Sequence, residues 1–169
     1  MKHVILQEPI LLRKDTEVSI AKPTPVFLRE IYPVFNRDTS LFNIVIIILK
    51  MENDVLNTQS NQQQERDEKL DELMKLGSYL RADLHTKGHF VDYMDPVSGL
   101  AMHSTTNIVY ADSTGCERVF KMDVVNIGCC KLISHKKWGT NIYPFTIFTT
   151  APATLVLSSL HSHYANNSK

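Results

Sequence analysis

Apolar and polar residues follow three rhythms along this chain of 169 residues. The most hydrophobic run, Leu41-Phe42-Asn43-Ile44-Val45-Ile46-Ile47-Ile48-Leu49, has no alternation and is rich in β-branched side chains. It is too short for a spanning helix and predicts a central strand buried on both faces. A helical rhythm follows, with Leu70, Leu73, Met74, Gly77, Leu80 and Leu84 at i, i+3, i+4 and i+7 spacing. Asp71 and Lys75 add an i, i+4 pair, and Gly88 stands where a helix C-terminal glycine belongs. Between strand and helix, the polar stretch Asn53 to Gln64 reads as a loop.

The third rhythm, of period two, begins after Gly88. His89–Met94 alternates, Asp95-Pro96-Val97-Ser98-Gly99 is a turn, and Asn107-Ile108-Val109-Tyr110 is another β-like run closed by Asp112-Ser113-Thr114-Gly115. Arg118–Val125 is a strand or an anchored connection, while Cys129–Ser134 and Ile142–Thr150 are strands. Pro152–Tyr164 suits a short helix ending in a frayed Asn166-Asn167-Ser168-Lys169 tail. The sum is an α+β fold, a mostly antiparallel sheet with one long packed helix. Residues 1–40, punctuated by Pro9, Pro23, Pro25 and Pro33, show no amphipathic pattern and read as an N-terminal arm. Within it, Ile10–Asp15 suits a short helix or an extended segment. The single α+β domain is expected to span 41–169.

Charge removes some functions. With 18 basic and 18 acidic residues the net charge is zero, so nothing points to nucleic acid or an anionic membrane. Three cysteines, two of them adjacent, cannot build a disulfide framework and fit a reducing compartment. The N-terminus lacks both a signal-peptide core and the character of a mitochondrial presequence, so the expectation is cytoplasmic. A leader upstream would redirect the chain to the mitochondrion.

The chemistry concentrates in Ile127-Gly128-Cys129-Cys130-Lys131-Leu132-Ile133-Ser134-His135-Lys136-Lys137-Trp138-Gly139-Thr140, which holds the only tryptophan. Successive side chains on a strand face opposite ways, so one thiol can face outward while the other packs. Gly128 would let a flat ligand or backbone approach, and the basic turn His135–Lys137 would favour a thiolate nearby. Against this soft ligand or nucleophile stand two plainer readings. The cysteines could be ordinary core residues. They could serve structural zinc, although the paired spacing that zinc needs is missing.

Other constellations are weaker. Asp83-Leu84-His85-Thr86-Lys87-Gly88 matches a D-x-H-x-x-G cobalamin motif that would make His85 a cobalt ligand. It falls at a helix end without the motif's other elements, and helix termination, with His85 favouring the dipole, explains the same residues. Asp92 and Asp95 flank a strand end, where carboxylates usually cap turns. A triad from Cys129 or Cys130 with His135 and Asp95 has no local support. His161 and His163, at i, i+2, do not face each other on a helix.

Asp95-Pro96-x-Ser98-Gly99-Leu100-Ala101, the Gly128–Thr140 motif and Ile147-Phe148-Thr149, with Leu11–Asp15 and Leu80-Arg81-Ala82 upstream, resemble the CblD family of cobalamin-trafficking proteins. The resemblance runs from about Pro9 to Ala151 and is densest after Gly88. It implies a nitroreductase-like fold used without flavin, acting as an adaptor and not as an enzyme. It implies that cobalamin is received from a CblC-type processing protein and directed to methionine synthase or methylmalonyl-CoA mutase. Cys129 would supply the cobalt thiolate, a soft donor active when deprotonated. Cys130 is then expected to pack, and Gly128, His135, Lys136 and Trp138 to form the neighbourhood. The Gln-rich stretch and the C-terminal tail depart from the family pattern. A flavin-dependent reductase on the same fold is the alternative, without a visible arginine cluster for the flavin phosphate.

Overall fold

The computed structural model describes residues 2–33, 38–53, 60–128 and 130–167. The chain opens with a hairpin of β1 (Val4–Arg13) and β2 (Thr16–Lys22), then α1 (Pro25–Ile31) and β3 (Asn43–Lys50). The long helix α2 (Ser60–Thr86) precedes β4 (Val91–Tyr93), α3 (Asp112–Arg118), β5 (Asp123–Ile127), β6 (Cys130–Ser134), β7 (Ile142–Thr149) and α4 (Ala153–Asn166). Five strands form an antiparallel sheet in the order β1-β2-β3-β7-β4, and β5 with β6 makes a separate two-stranded hairpin. The expected α+β class, antiparallel sheet and long helix are all present.

The isoleucine-rich run is the middle strand, because both its faces are covered. Val45, Ile47 and Leu49 share one core with Leu73, Leu76, Leu80 and Leu84 of α2 and Val156 and Leu160 of α4. On the opposite face, Ile44 packs with Phe27, Tyr110 and Phe148, while Ile46 and Ile48 pack with Cys116, Ile133 and Ile142. The period-two alternation is therefore present but hidden by apolar residues on both sides.

Several elements differ from the sequence reading. The stretch expected as an arm supplies β1 and β2, and β2 pairs with β3 from Thr16↔Leu49 to Ala21↔Ile44. Pro9 is tolerated because β1 is an edge strand, where irregular register absorbs the missing donor. Ile10–Arg13 is accordingly extended and not helical.

The polar segment expected as a loop to Gln64 is helical from Ser60. Gln63 Nε2 donates to Asp67 at 2.9 Å and Gln64 Nε2 to Glu68 at 3.0 Å, both i, i+4. Residues 54–59 of that expected loop lie outside the described residues. The far end of α2 is as expected: Gly88 has φ +84° and His89 N–H closes onto Leu84 O at 3.1 Å.

Asn107–Tyr110 is not a strand. Val109 is exposed, and Tyr110 alone is buried, edge-on against Phe148, as the anchor of a connection. Asp112–Gly115, expected as a turn, begins α3, whose Cys116 is fully buried. No helix among the described residues is long and apolar enough to cross a membrane.

Candidate functional site

The hairpin β5–β6 carries the cysteine motif. Ile127 pairs with Cys130, and Gly128 has φ +59°, a conformation that favours glycine in tight hairpin connections. Nothing stands within 4 Å of where a Gly128 Cβ would lie, so the approach to the tip is open. Cys129, the expected cobalt ligand, lies outside the described residues.

Cross-strand partners share a face. Val124↔Ile133 and Asn126↔Lys131 make one face, on which Ile133 is buried and Lys131 Nζ lies 3.3 Å from Glu117 of α3. Val125↔Leu132 and Ile127↔Cys130 make the other, on which Val125, Ile127 and Cys130 are exposed. Cys130 was expected to pack. It does not, because the tip extends past the last buried hairpin residue and its face turns away from the sheet.

His135 and Trp138 are not beside the tip. They follow β6 at its opposite end, about 17 Å from Cys130 at about 3.3 Å per residue. His135 is 6 % exposed, and its Nδ1 accepts the backbone N–H groups of Lys137 and Trp138, each at 3.2 Å. A nitrogen accepting two donors has no proton, so the ring proton sits on Nε2 and is donated to Glu17 Oε1 at 2.8 Å. Trp138 stacks on the imidazole at 4.5 Å with the ring planes 20° apart, and packs on the Ile46, Ile48 and Ile133 cluster. Lys137 Nζ is 3.7 Å from Glu17 Oε2, while Lys136 is exposed. Of the turn's two lysines, only Lys137 faces the Glu17 carboxylate of β2, and the turn lies at the end of β6 away from the tip.

Glu17 was not found from sequence, since it lies 118 residues from His135 and has no local motif. A groove of about 350 Å³ opens beside this cluster, with Ile48, Phe120 and Met122 among its apolar lining residues. A second cleft, of about 440 Å³, lies between α2, α3 and β6 and is lined in part by Asp112. Burial pushes the Asp112 carboxyl up to about 7, although Thr146 Oγ1 donates to it at 2.5 Å. Burial also drives the Cys116 thiol upward, with the Asp112 charge adding to the effect, so Cys116 is an inert core residue.

The remaining candidates are structural. His85 is exposed in the last turn of α2. Asp83 accepts Lys87 Nζ at 2.6 Å and Ser159 Oγ at 2.7 Å, so the D-x-H-x-x-G residues end a helix and dock it on α4. Asp95 caps its turn through Val97 N–H, Ser98 N–H and Ser98 Oγ, while His135 is bonded to Glu17, so a triad of Cys130, His135 and Asp95 is not assembled. Asp92 is buried and accepts the N–H groups of Tyr93 and His103. Among the described residues no group of three or more His, Cys, Asp or Glu is placed to hold a metal ion.

Residues 4–160 match the sequence model of the family described as methylmalonic aciduria and homocystinuria type D protein. The chain is 28% identical over 144 residues to the cobalamin trafficking protein CblD of Gallus gallus, covering 85% of this chain and 44% of that protein. It is 31% identical over 111 residues to the protein of the same name from Mus musculus, covering 65% of this chain and 38% of that one. For the Homo sapiens protein, also named cobalamin trafficking protein CblD, identity is 30% over 109 residues, covering 64% and 37% respectively. The chain spans less than half the length of these relatives. With the match running from β1 into α4 and taking in the whole hairpin, the chain belongs to the methylmalonic aciduria and homocystinuria type D protein family.

Proposed function

We propose that this chain is an adaptor in cobalamin handling, not an enzyme. Its cysteine motif offers a thiolate to the cobalt of a cobalamin still held by a CblC-type processing protein. The cargo is then directed to methionine synthase or methylmalonyl-CoA mutase. Cys129 is the ligand, and the nitroreductase-like scaffold serves as a support without flavin. The protein acts in the cytoplasm, or in the mitochondrion where a leader precedes the chain.

One observation carries this reading beyond the family match. The motif's described neighbours, Gly128 and Cys130, stand at the open tip of a hairpin fixed to the sheet by its base. An exposed soft donor on a projecting arm suits transfer of a ligand between proteins, since it can enter another protein's site.

The test is an ultraviolet–visible titration of the protein into CblC-type protein loaded with reduced cobalamin. A cobalt–sulfur band is expected with the wild type and with Cys130→Ser, and none with Cys129→Ser. Because Cys130 is also exposed, a band that survives in Cys129→Ser but vanishes in Cys130→Ser would move the ligand by one residue. No band with any of the three would overturn the reading.

A further inference from the structure

The hairpin lies against α3, and Met122 N–H at the root of β5 donates to Cys116 O at 2.9 Å. Ile133 is its one buried residue among those described, and the Lys131–Glu117 pair is solvent-exposed, so it contributes little. The buried side-chain link from the end of β6 to the main sheet is the hydrogen bond from His135 Nε2 to Glu17 Oε1, made where both side chains are nearly out of solvent. Glu17 belongs to β2, which is paired to β3 on one side and β1 on the other, so its carboxylate is held by the main sheet. His135 is locked in turn by its two backbone donors, by the reciprocal 2.8 Å bonds between the backbones of His135 and Gly139, and by Trp138.

A carboxylate buried opposite Ile48 is costly to desolvate, and an apolar residue would pack there at lower cost. What the carboxylate adds is a fixed distance and angle at the root of β6.

We infer that Glu17 is a positioning residue: through His135 it helps set the direction in which the hairpin presents its tip, with Gly128 and Cys130, to a partner-held cobalt. This rests on the adaptor reading. His135, the partner of Glu17, lies about 17 Å from Cys130 at about 3.3 Å per residue along β6, so Glu17 acts through the strand.

The experiment uses the full chain with Glu17→Leu, His135→Phe, the double variant and Glu17→Gln. Each is measured by urea unfolding, by amide hydrogen exchange of residues 124–133, and by the cobalamin titration. Glu17→Leu and His135→Phe should raise hairpin exchange and weaken the titration half-point by about tenfold, within the range of coupled buried pairs. Glu17→Gln keeps an oxygen acceptor for Nε2–H and should stay within about twofold of wild type. The double variant removes the Glu17–Nε2 pair but still leaves the Lys137 and Trp138 N–H groups without their Nδ1 acceptor. Its stability should therefore recover in part above that of Glu17→Leu and His135→Phe, while exchange and half-point stay altered.

A merely structural role predicts the opposite, a half-point that follows stability and returns in the double variant. That outcome, or hairpin exchange at the wild-type level in every folded variant, would overturn the inference. If either single variant fails to fold, the double variant and Glu17→Gln carry the comparison. A wild type that gives no cobalt–sulfur band sinks the adaptor reading, and with it the stated role, while the exchange data still report whether Glu17 fixes the hairpin.

Discussion

At the scale of single residues, Asp112 has a measurable signature. Its carboxyl is raised from 3.8 to about 7 by burial, so folding favours its protonated form. The stability this group contributes is fully present below 3.8 and is lost as pH rises through about 7. Asp112→Asn keeps an oxygen acceptor for the Thr146 hydroxyl and removes the titration. The urea midpoint of the wild type should fall between pH 5 and pH 8 by the equivalent of a few kcal/mol, since each pH unit separating the folded and unfolded pKa is worth ~1.4 kcal/mol. That of Asp112→Asn should lose this fall and rise modestly instead, because burial lowers the pKa of His3, His103 and His163, and an unchanged slope would show that another group titrates there. Nothing in the local sequence marks Asp112, whose raised pKa arises from burial when α3 packs over Thr146 of β7. Glu17 is hidden for a related reason, since its partner arrives from the other end of the chain.

Elements were legible where the pattern was long and uninterrupted. The Ile44–Leu49 run, the Leu70–Leu84 helix, the strand from Ile142 and the helix after Pro152 all form where periodicity places them. Short apolar runs were ambiguous, and Asn107–Tyr110 shows why: one buried aromatic can anchor a connection without any strand pairing. The edge strand β1 was obscured by Pro9 and by side chains that are partly exposed, and β2 by the polar Thr16, Glu17 and Ser19 that it buries. The candidate hairpin shows the other limit, because alternation assigns side chains to two faces but cannot say which face meets the sheet. Its connection makes a sharp prediction. Gly128→Ala places a Cβ at φ +59° and should cost the hairpin about 1 kcal/mol, with no steric neighbour to add to it. Amide exchange at Val125 and Leu132 should quicken while the global urea midpoint stays put. Equal slowing or quickening across the whole sheet would contradict it.

For the whole molecule, the sheet has no boundary at residue 41. β2 buries Val18 and Ile20 in the same core as α2 and pairs with β3 from Ile44 to Leu49. A chain beginning at residue 41 should therefore lose cooperative unfolding and aggregate, measured by circular dichroism and size-exclusion chromatography. A monomeric, cooperatively unfolding fragment would show that β1 and β2 are dispensable. The strand order has a further consequence during synthesis. β3 lies between β2, its near neighbour in the chain, and β7, which follows it by roughly a hundred residues. On a ribosome moving at ~5–20 residues per second, the isoleucine-rich edge of β3 waits on the order of 5–20 s for β7 to emerge. During that interval the nascent chain displays its most adhesive strand with only one side paired, which makes this the window in which a chaperone has most to protect.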